Sequence, residues 1–329
     1  MIKIGAKSIG TNIFLASLAG ISDLAYRLIA REHGAQICFY EMFDSNALVY
    51  TSRRKTNDDP PNHPQDLPIA AQLLGSDPDM MLTAAQKILE LNKDITFLDI
   101  NAACPMRKVI KKRSGAYLIN EPDMLYRIIS RLSASLPLPI TVKLRTGYQK
   151  NDVDKIILIA KNCEQHGAKA IFVHGRTKAQ IYSGNVDHAS IKAIKDNVKI
   201  PVVASGNIFS ALKAKEMIDL TGCDGVLVAR GSFGNPWIFQ QVKTYLQDGI
   251  LLPDPPLPER LATLKRHVQY IEKHKILADK SKLGFSRKIA VWYLKNFRHA
   301  TDLRNQAAQA KSFPELYGII ENVFQLVDR

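Results

Sequence analysis

A chain of 329 residues with 46% hydrophobic residues is long enough to bury one large α/β domain and a smaller one, which excludes a disordered or fibrous protein. Lysine and arginine outnumber aspartate and glutamate 45 to 31, and the formal charge of +14 favours polyanionic partners, nucleic acid or an anionic membrane surface. The four cysteines Cys38, Cys104, Cys163 and Cys223 form no CxxC pair and no Cys/His cluster at zinc spacing, so neither a disulfide framework nor a structural metal is expected.

The opening residues, MIKIGAKSIGTNIF, lack the apolar run of a signal peptide, and no apolar run of about 18 residues follows, so a soluble cytoplasmic chain is expected. Short apolar runs then recur: 13–19, 37–41, 69–73, 97–101, 140–144, 170–174, 202–205 and 225–229 read as strands. They are apolar throughout rather than alternating, as strands buried on both faces should be. Between them, 23–33, 78–91, 121–136, 153–166 and 210–220 carry apolar residues at helical spacing, with Ser22, Asp77 and Ser210 as candidate caps. Strands spaced by roughly 23 to 43 residues with helix-length connections predict a (β/α)8 TIM barrel. A doubly wound open sheet fits less well, because no GxGxxG turn follows the first strand.

The barrel is expected over 1–245, a proline-rich linker containing LLPDPP over 246–258, and a small all-α helical bundle over 259–329. From 253 to 329 there are fourteen Lys/Arg against eight Asp/Glu, a difference of +6. A basic helical appendage suits a grip on a large anionic ligand; packing or dimerisation is the plainer use.

Active sites of such barrels form at the C-terminal ends of the strands. Those ends carry Glu41, Gln72, Asn101 with Cys104, Lys143 with Arg145, His174 with Arg176, Ser205-Gly206-Asn207 and Ala229-Arg230. The small-residue turns at Gly206 and Gly231 suit a phosphate cradle of backbone N–H groups, with Arg230 adding a charge-assisted contact. Ala16, Ser17 and Leu18 offer a close-approach surface for a flat ring. Lys143 would place a cation near that ring, unless it pairs with Asp99 or Glu41. Ring, cation and phosphate cradle together point to flavin mononucleotide. Cys104 stands without metal co-ligands. It is open to three uses: a nucleophile activated by His174, a proton donor to a carbanion-like carbon, or a buried inert thiol. Five cations follow it within seven positions, Arg107, Lys108, Lys111, Lys112 and Arg113.

The stretches ASLAGISD, YEMFDS, AAQLLGSDP, LDINAACPMRKV, VKLRTGY, FVHGRT, VVASGNI, LVARGSFGNPWIF and RKIAVWYL resemble, in order, those of the tRNA-dihydrouridine synthases, bacterial subgroup B. The resemblance implies a tRNA substrate and FMN-dependent reduction of the uracil C5–C6 double bond. Tightly bound FMN would be recharged by NADPH. Cys104 falls on the proton donor to C5 and Asn101 on a uracil contact. Gln72, Lys143 and His174 fall on flavin contacts, and Ser205, Gly206, Asn207, Ala229 and Arg230 on the phosphate site. Lys108, Arg145 and Arg176 lie where the RNA or uracil would be held. It implies no metal, membrane or obligate protein partner. The chain departs from the family pattern at Ser17-Leu18, Ala103, Asn207, Ala229 and Ile289. Two alternatives remain: an FMN-dependent reductase of a small pyrimidine or enone, and a tRNA-binding barrel without catalysis.

Overall fold

The computed structural model of the chain describes residues 2–50 and 63–327. Positions 1, 51–62 and the last two residues of the expected helical bundle, 328–329, lie outside the described residues. The chain opens with an antiparallel hairpin that the apolar-run reading passed over: β1 (Ile2–Ile4) and β2 (Lys7–Ile9), joined through Gly5 at φ +59°. Three-residue strands carry too little periodicity to register, although the Gly-Ala turn between them was a visible signal.

Eight parallel strands follow: β3 (Ile13–Leu15), β4 (Ile37–Phe39), β6 (Ile69–Leu74), β7 (Ile95–Asn101), β8 (Ile140–Arg145), β9 (Ile171–His174), β10 (Val202–Ser205) and β11 (Gly225–Val228). β4 pairs with both β3 and β6, which closes the barrel, and the two-residue β5 (Phe43–Asp44) extends the edge of β6. The strands lie at the predicted places, but β3 stops at Leu15. There the chain turns, with Ile21 and Ser22 N–H groups both donating to Leu18 O.

Along each strand, alternate residues face opposite ways. One set, including Leu15, Cys38, Ala71, Leu98, Val142, Val173, Ala204 and Val228, packs under the surrounding helices. The other fills the barrel: Phe14, Phe39, Phe97 and Phe172 meet at ring separations of 5.4 to 6.0 Å. Ile2, Ile4 and Ile9 of the hairpin join this cluster. Both sets are apolar, and this is why the strands do not alternate in sequence.

The helices are α1 (Leu24–Glu32), α2 (Ser45–Tyr50), α3 (Pro78–Leu91), α4 (Arg107–Ile110), α5 (Pro122–Ser135), α6 (Val153–Gln165), α7 (His188–Asn197), α8 (Ala211–Thr221) and α9 (Ile238–Asp248). Asp77 and Ser210 cap α3 and α8 as expected. Ser22 does not cap α1; Asp23 does, accepting from Tyr26 N, while Ser22 Oγ closes the Leu18 turn. α7 escaped the sequence reading because only Ser190, Ile191 and Ile194 of its ten residues are buried.

After Gly249, which ends α9 in the left-handed region, and a segment without regular structure at 250–256 come α10 (Leu257–His274), α11 (Asp279–Tyr293), α12 (Ala300–Gln309) and α13 (Phe313–Val327). These four helices dock on the α1 flank of the barrel. Lys275 bridges to Asp23 at 2.8 Å, Arg266 to Glu32 at 2.7 Å, and Trp237 donates to Glu259 at 2.6 Å. Gly234 permits the approach, since a Cβ there would collide with Trp292 O. Lys288 of α11 donates to Gly20 O at 2.8 Å, so the bundle touches the loop that follows β3.

Candidate active site

The inward face of the barrel changes character along each strand. Two residues beyond Ala70 stands Gln72; beyond Phe97 come Asp99 and then Asn101; beyond Phe172 comes His174; beyond Val203 comes Ser205. β8 carries Thr141, Lys143 and Arg145 on the same face, opposite Val142 and Leu144. The period of two thus gathers at the mouth nearly every polar residue that the strand ends carry in the sequence.

These groups are tied together. Thr141 Oγ1 donates to Asp99 Oδ1 at 2.6 Å, and Gln72 Nε2 donates to Asp99 Oδ2 at 2.7 Å. Asn101 Nδ2 donates to Gln72 Oε1 at 2.8 Å. Asn101 Oδ1 accepts from Ala103 N at 3.1 Å and Cys104 N at 2.9 Å, which anchors the loop that presents the thiol. Gly115, at φ +63°, packs beneath it, and a Cβ there would lie 2.8 Å from Cys104 O. Ala103 is buried, its methyl accommodated and its carbonyl accepting from Arg145 Nε at 2.6 Å.

Cys104 is half-buried. Burial pushes its thiol above the ordinary value, against smaller opposing effects of the Met106 backbone, Arg145 and Lys108. A thiol held neutral is a proton donor rather than a nucleophile. His174, considered as its base, has its Nε2 3.4 Å from Arg176 Nη1. Burial, then the cations Lys143, Arg145, Arg176 and Arg230, hold that imidazole far below its usual range, so it is neutral. Burial also brings Lys143 down to about 8 and raises Asp99 to about 6, each partly offset by the other's charge. Lys143 Nζ donates to Ser205 Oγ at 3.3 Å. Glu41, the other carboxylate considered for it, accepts instead from Gly20 N.

The loops after β10 and β11 meet closely. Gly206 has φ +136°, and a Cβ on Gly231 would collide with Ile208 O. Asn207 takes the left-handed region at φ +54°, which asparagine tolerates better than most residues, and its Oδ1 accepts from Arg176 Nη2 at 3.1 Å. Arg230 lies against the rings of Tyr182, at 4.7 Å, and Phe209, at 5.6 Å. Both rings are half exposed, and neither was singled out in the sequence. Ala16, Leu18 and Ala229 pack at the top of the barrel interior, while Ser17 Oγ is buried with no hydrogen-bond partner.

Arg145 and Arg176 are each only 2% exposed. Arg145 Nη1 donates to Thr177 O and Ile181 O at 2.8 and 2.9 Å, and Arg176 to Ser183 O and Gly184 O at 2.9 and 2.7 Å. Both therefore brace loops. The basic run divides: Lys112 pairs with Asp44 at 2.9 Å and Arg113 with Glu121 at 2.6 Å. Arg107, Lys108 and Lys111 stand exposed at the rim and form no ion pair among the described residues.

An eight-stranded parallel barrel with a polar, cation-rich mouth defines a TIM-barrel enzyme architecture. The structure of the old yellow enzyme from Trypanosoma cruzi shares this fold, at a TM-score of 0.53 and 10% identity over 79% of this chain and 93% of that one. The old yellow enzyme homologue of Zymomonas mobilis does so at 0.52 and 15% identity, over 77% and 93%. The sequence profile of the dihydrouridine synthase (Dus) family matches residues 14–325. tRNA-dihydrouridine synthase B of Pasteurella multocida is 35% identical over 99% of this chain and 96% of its own. The Vibrio vulnificus protein of the same name is 36% identical over 92% of each. The chain belongs to the dihydrouridine synthase family. No helix among the described residues is long and apolar enough to cross a membrane.

Proposed function

We propose that this chain is a tRNA-dihydrouridine synthase that uses FMN, recharged by NADPH, to reduce specific uridines in tRNA, with Cys104 protonating C5 of the base. The observation that carries this reading is the neutral, half-buried Cys104 thiol held at the mouth of a barrel in which four cations converge on one side.

The residues present fit a flavin nucleotide. Gly206, at φ +136°, and Gly231, which lets the Ile208 backbone approach, form small-residue turns after β10 and β11, Arg230 stands on the second, and Ser17 Oγ is an unsatisfied buried hydroxyl just beyond β3. Ser205, Gly206, Asn207, Ala229 and Arg230 would hold the phosphate. Ala16, Ser17, Leu18, Gln72, Lys143 and His174 would border the ring, with neutral His174 adding no charge and Lys143 supplying it. Bound there, the flavin supplies a hydride to C6 of the uracil.

Cys104 keeps its proton on Sγ until C5 accepts it, which its burial favours. Asn101 fixes the thiol loop and borders the uracil, and Arg145 and Arg176 shape the walls of the entry. A target uridine must leave its stack to reach this depth. Arg107, Lys108 and Lys111 at the rim, with the basic helical bundle over α10–α13, would grip the phosphodiester backbone to offset the lost stacking. The test is dihydrouridine in tRNA from a strain lacking the gene, with and without this chain restored. Restoration at defined uridines is expected, together with NADPH bleaching of the purified protein's flavin absorbance. An unchanged dihydrouridine level in the deletion overturns the RNA substrate, and a protein that cannot be loaded with FMN overturns the chemistry.

A further inference from the structure

The hydrogen-bond chain from Thr141 through Asp99, Gln72 and Asn101 to Cys104 N has a direction that its two ends impose. At one end Asp99 accepts through both oxygens, from Thr141 Oγ1 at 2.6 Å and Gln72 Nε2 at 2.7 Å, as a carboxylate does. At the other end the backbone N–H groups of Ala103 and Cys104 can only donate. Between them stand two side-chain amides, each with one donating and one accepting side. Gln72 must turn its NH2 to Asp99, which leaves Oε1 for Asn101; Asn101 must then turn its NH2 to Gln72, which leaves Oδ1 for the thiol loop. Flipping either amide sets donor against donor and acceptor against acceptor inside a site where Asp99 is fully buried and Gln72 and Asn101 are nearly so.

We propose that Asp99 is a positioning residue for the thiol: through the fixed orientations of Gln72 and Asn101 it holds the Cys104 loop, two side chains away, in the one arrangement that presents the proton donor. Its catalytic meaning rests on the function proposed above; the coupling itself does not. Asp99 touches neither Cys104 nor the rim. Its charge faces Lys143 on β8, which in turn feels Arg145 on the same strand. In the sequence, Asp99 stands out only as a counter-ion for Lys143. Its use in the chain appears once strands β6, β7 and β8 lie side by side, with Gln72 in register with Asp99 and Asp99 with Thr141.

The test is the rate at which iodoacetamide alkylates Cys104 in the folded full-length protein, read by peptide mass spectrometry. Cys38, Cys163 and Cys223 are buried and serve as internal references. Gln72→Glu turns a carboxylate towards Asp99 and should release the loop, raising the Cys104 rate about tenfold, the equivalent of one lost hydrogen bond. Gln72→Glu with Asp99→Asn restores the direction: the amide introduced on β7 donates to the carboxylate introduced on β6, whose second oxygen still accepts from Asn101. The double variant should return to within about twofold of the parent rate, a coupling that independent sites do not show. Gln72→Leu, which ends the chain without adding charge, should raise the rate and gain nothing from Asp99→Asn. It also serves if Gln72→Glu does not fold. A parent-like rate in the folded single variants, or a double variant as fast as Gln72→Glu alone, overturns the proposal. The assay needs neither flavin nor tRNA, so its failure is distinct from failure of the synthase reading. That reading is tested separately, by dihydrouridine in tRNA from the deletion strain.

Discussion

The two ends of the barrel are built from the same strands and oppose each other in every chemical respect. At the lower end, Phe14, Phe39, Phe97 and Phe172 interlock and the hairpin's isoleucines pack against them. At the upper end, two or four residues further along the same inward faces, Gln72, Asp99, Asn101, Lys143, Arg145 and His174 take their place. Burying rings stabilises the fold, whereas burying charges costs free energy that hydrogen bonds only partly return. The lower end therefore carries stability, and the upper end spends some of it on holding the Cys104 thiol loop and a cationic wall.

Cys104→Ala breaks the symmetry of that comparison most sharply. Product formation should fall about 10²- to 10⁴-fold, the usual contribution of a positioned acid, with the melting temperature unchanged. Dihydrouridine measured by mass spectrometry of treated tRNA checks it, and full activity would mean the proton comes from elsewhere. Phe172→Ala is the converse. A stability loss of about 3–5 kcal/mol in urea unfolding is expected, because its ring touches Phe14, Phe39 and Phe97 in a closed interior.

Replacing Arg107, Lys108 and Lys111 together by glutamine should weaken tRNA binding about tenfold or more at moderate salt and flatten the salt dependence by roughly two to three units of log–log slope. The same change at Lys112 and Arg113, already paired with Asp44 and Glu121, should do less. The smallest effect is on pH. Burial raises the Cys104 pKa, so loss of its proton should lower single-turnover reduction only above the ordinary thiol value of about 8.5, whereas Lys143, brought down to about 8, loses its charge earlier; in Lys143→Arg only the later decline should remain. A decline beginning below that value in Lys143→Arg would show that Cys104 is not the titrating acid.

Much of the upper end was legible before folding, because a (β/α)8 barrel gathers its strand ends in one place and the apolar runs showed where those ends lie. Gln72, Asn101, Lys143, His174 and Ser205 needed only that rule to meet at one mouth. The hairpin was not legible, since two strands of three residues carry almost no pattern. Nor was α7, whose exposed face dilutes its period. The use made of each cation was also hidden: five in the run after Cys104 look alike in sequence, yet partners 68 positions away at Asp44 and 8 away at Glu121 divide them.

By itself the sequence determined the strand order, the polar residues at each strand end and the family motifs, because these depend on local periodicity and on residue identity. Only the tertiary structure decided which way each polar group is turned. Arg145 and Arg176 became braces because carbonyls of neighbouring loops came within reach of their guanidinium groups. The amides of Gln72 and Asn101 took one orientation because residues 27 and 29 positions apart in the chain were brought side by side, with an acceptor at one end and two donors at the other. Hydrogen-bond direction is a property of neighbours in space, and no spacing along the chain encodes it.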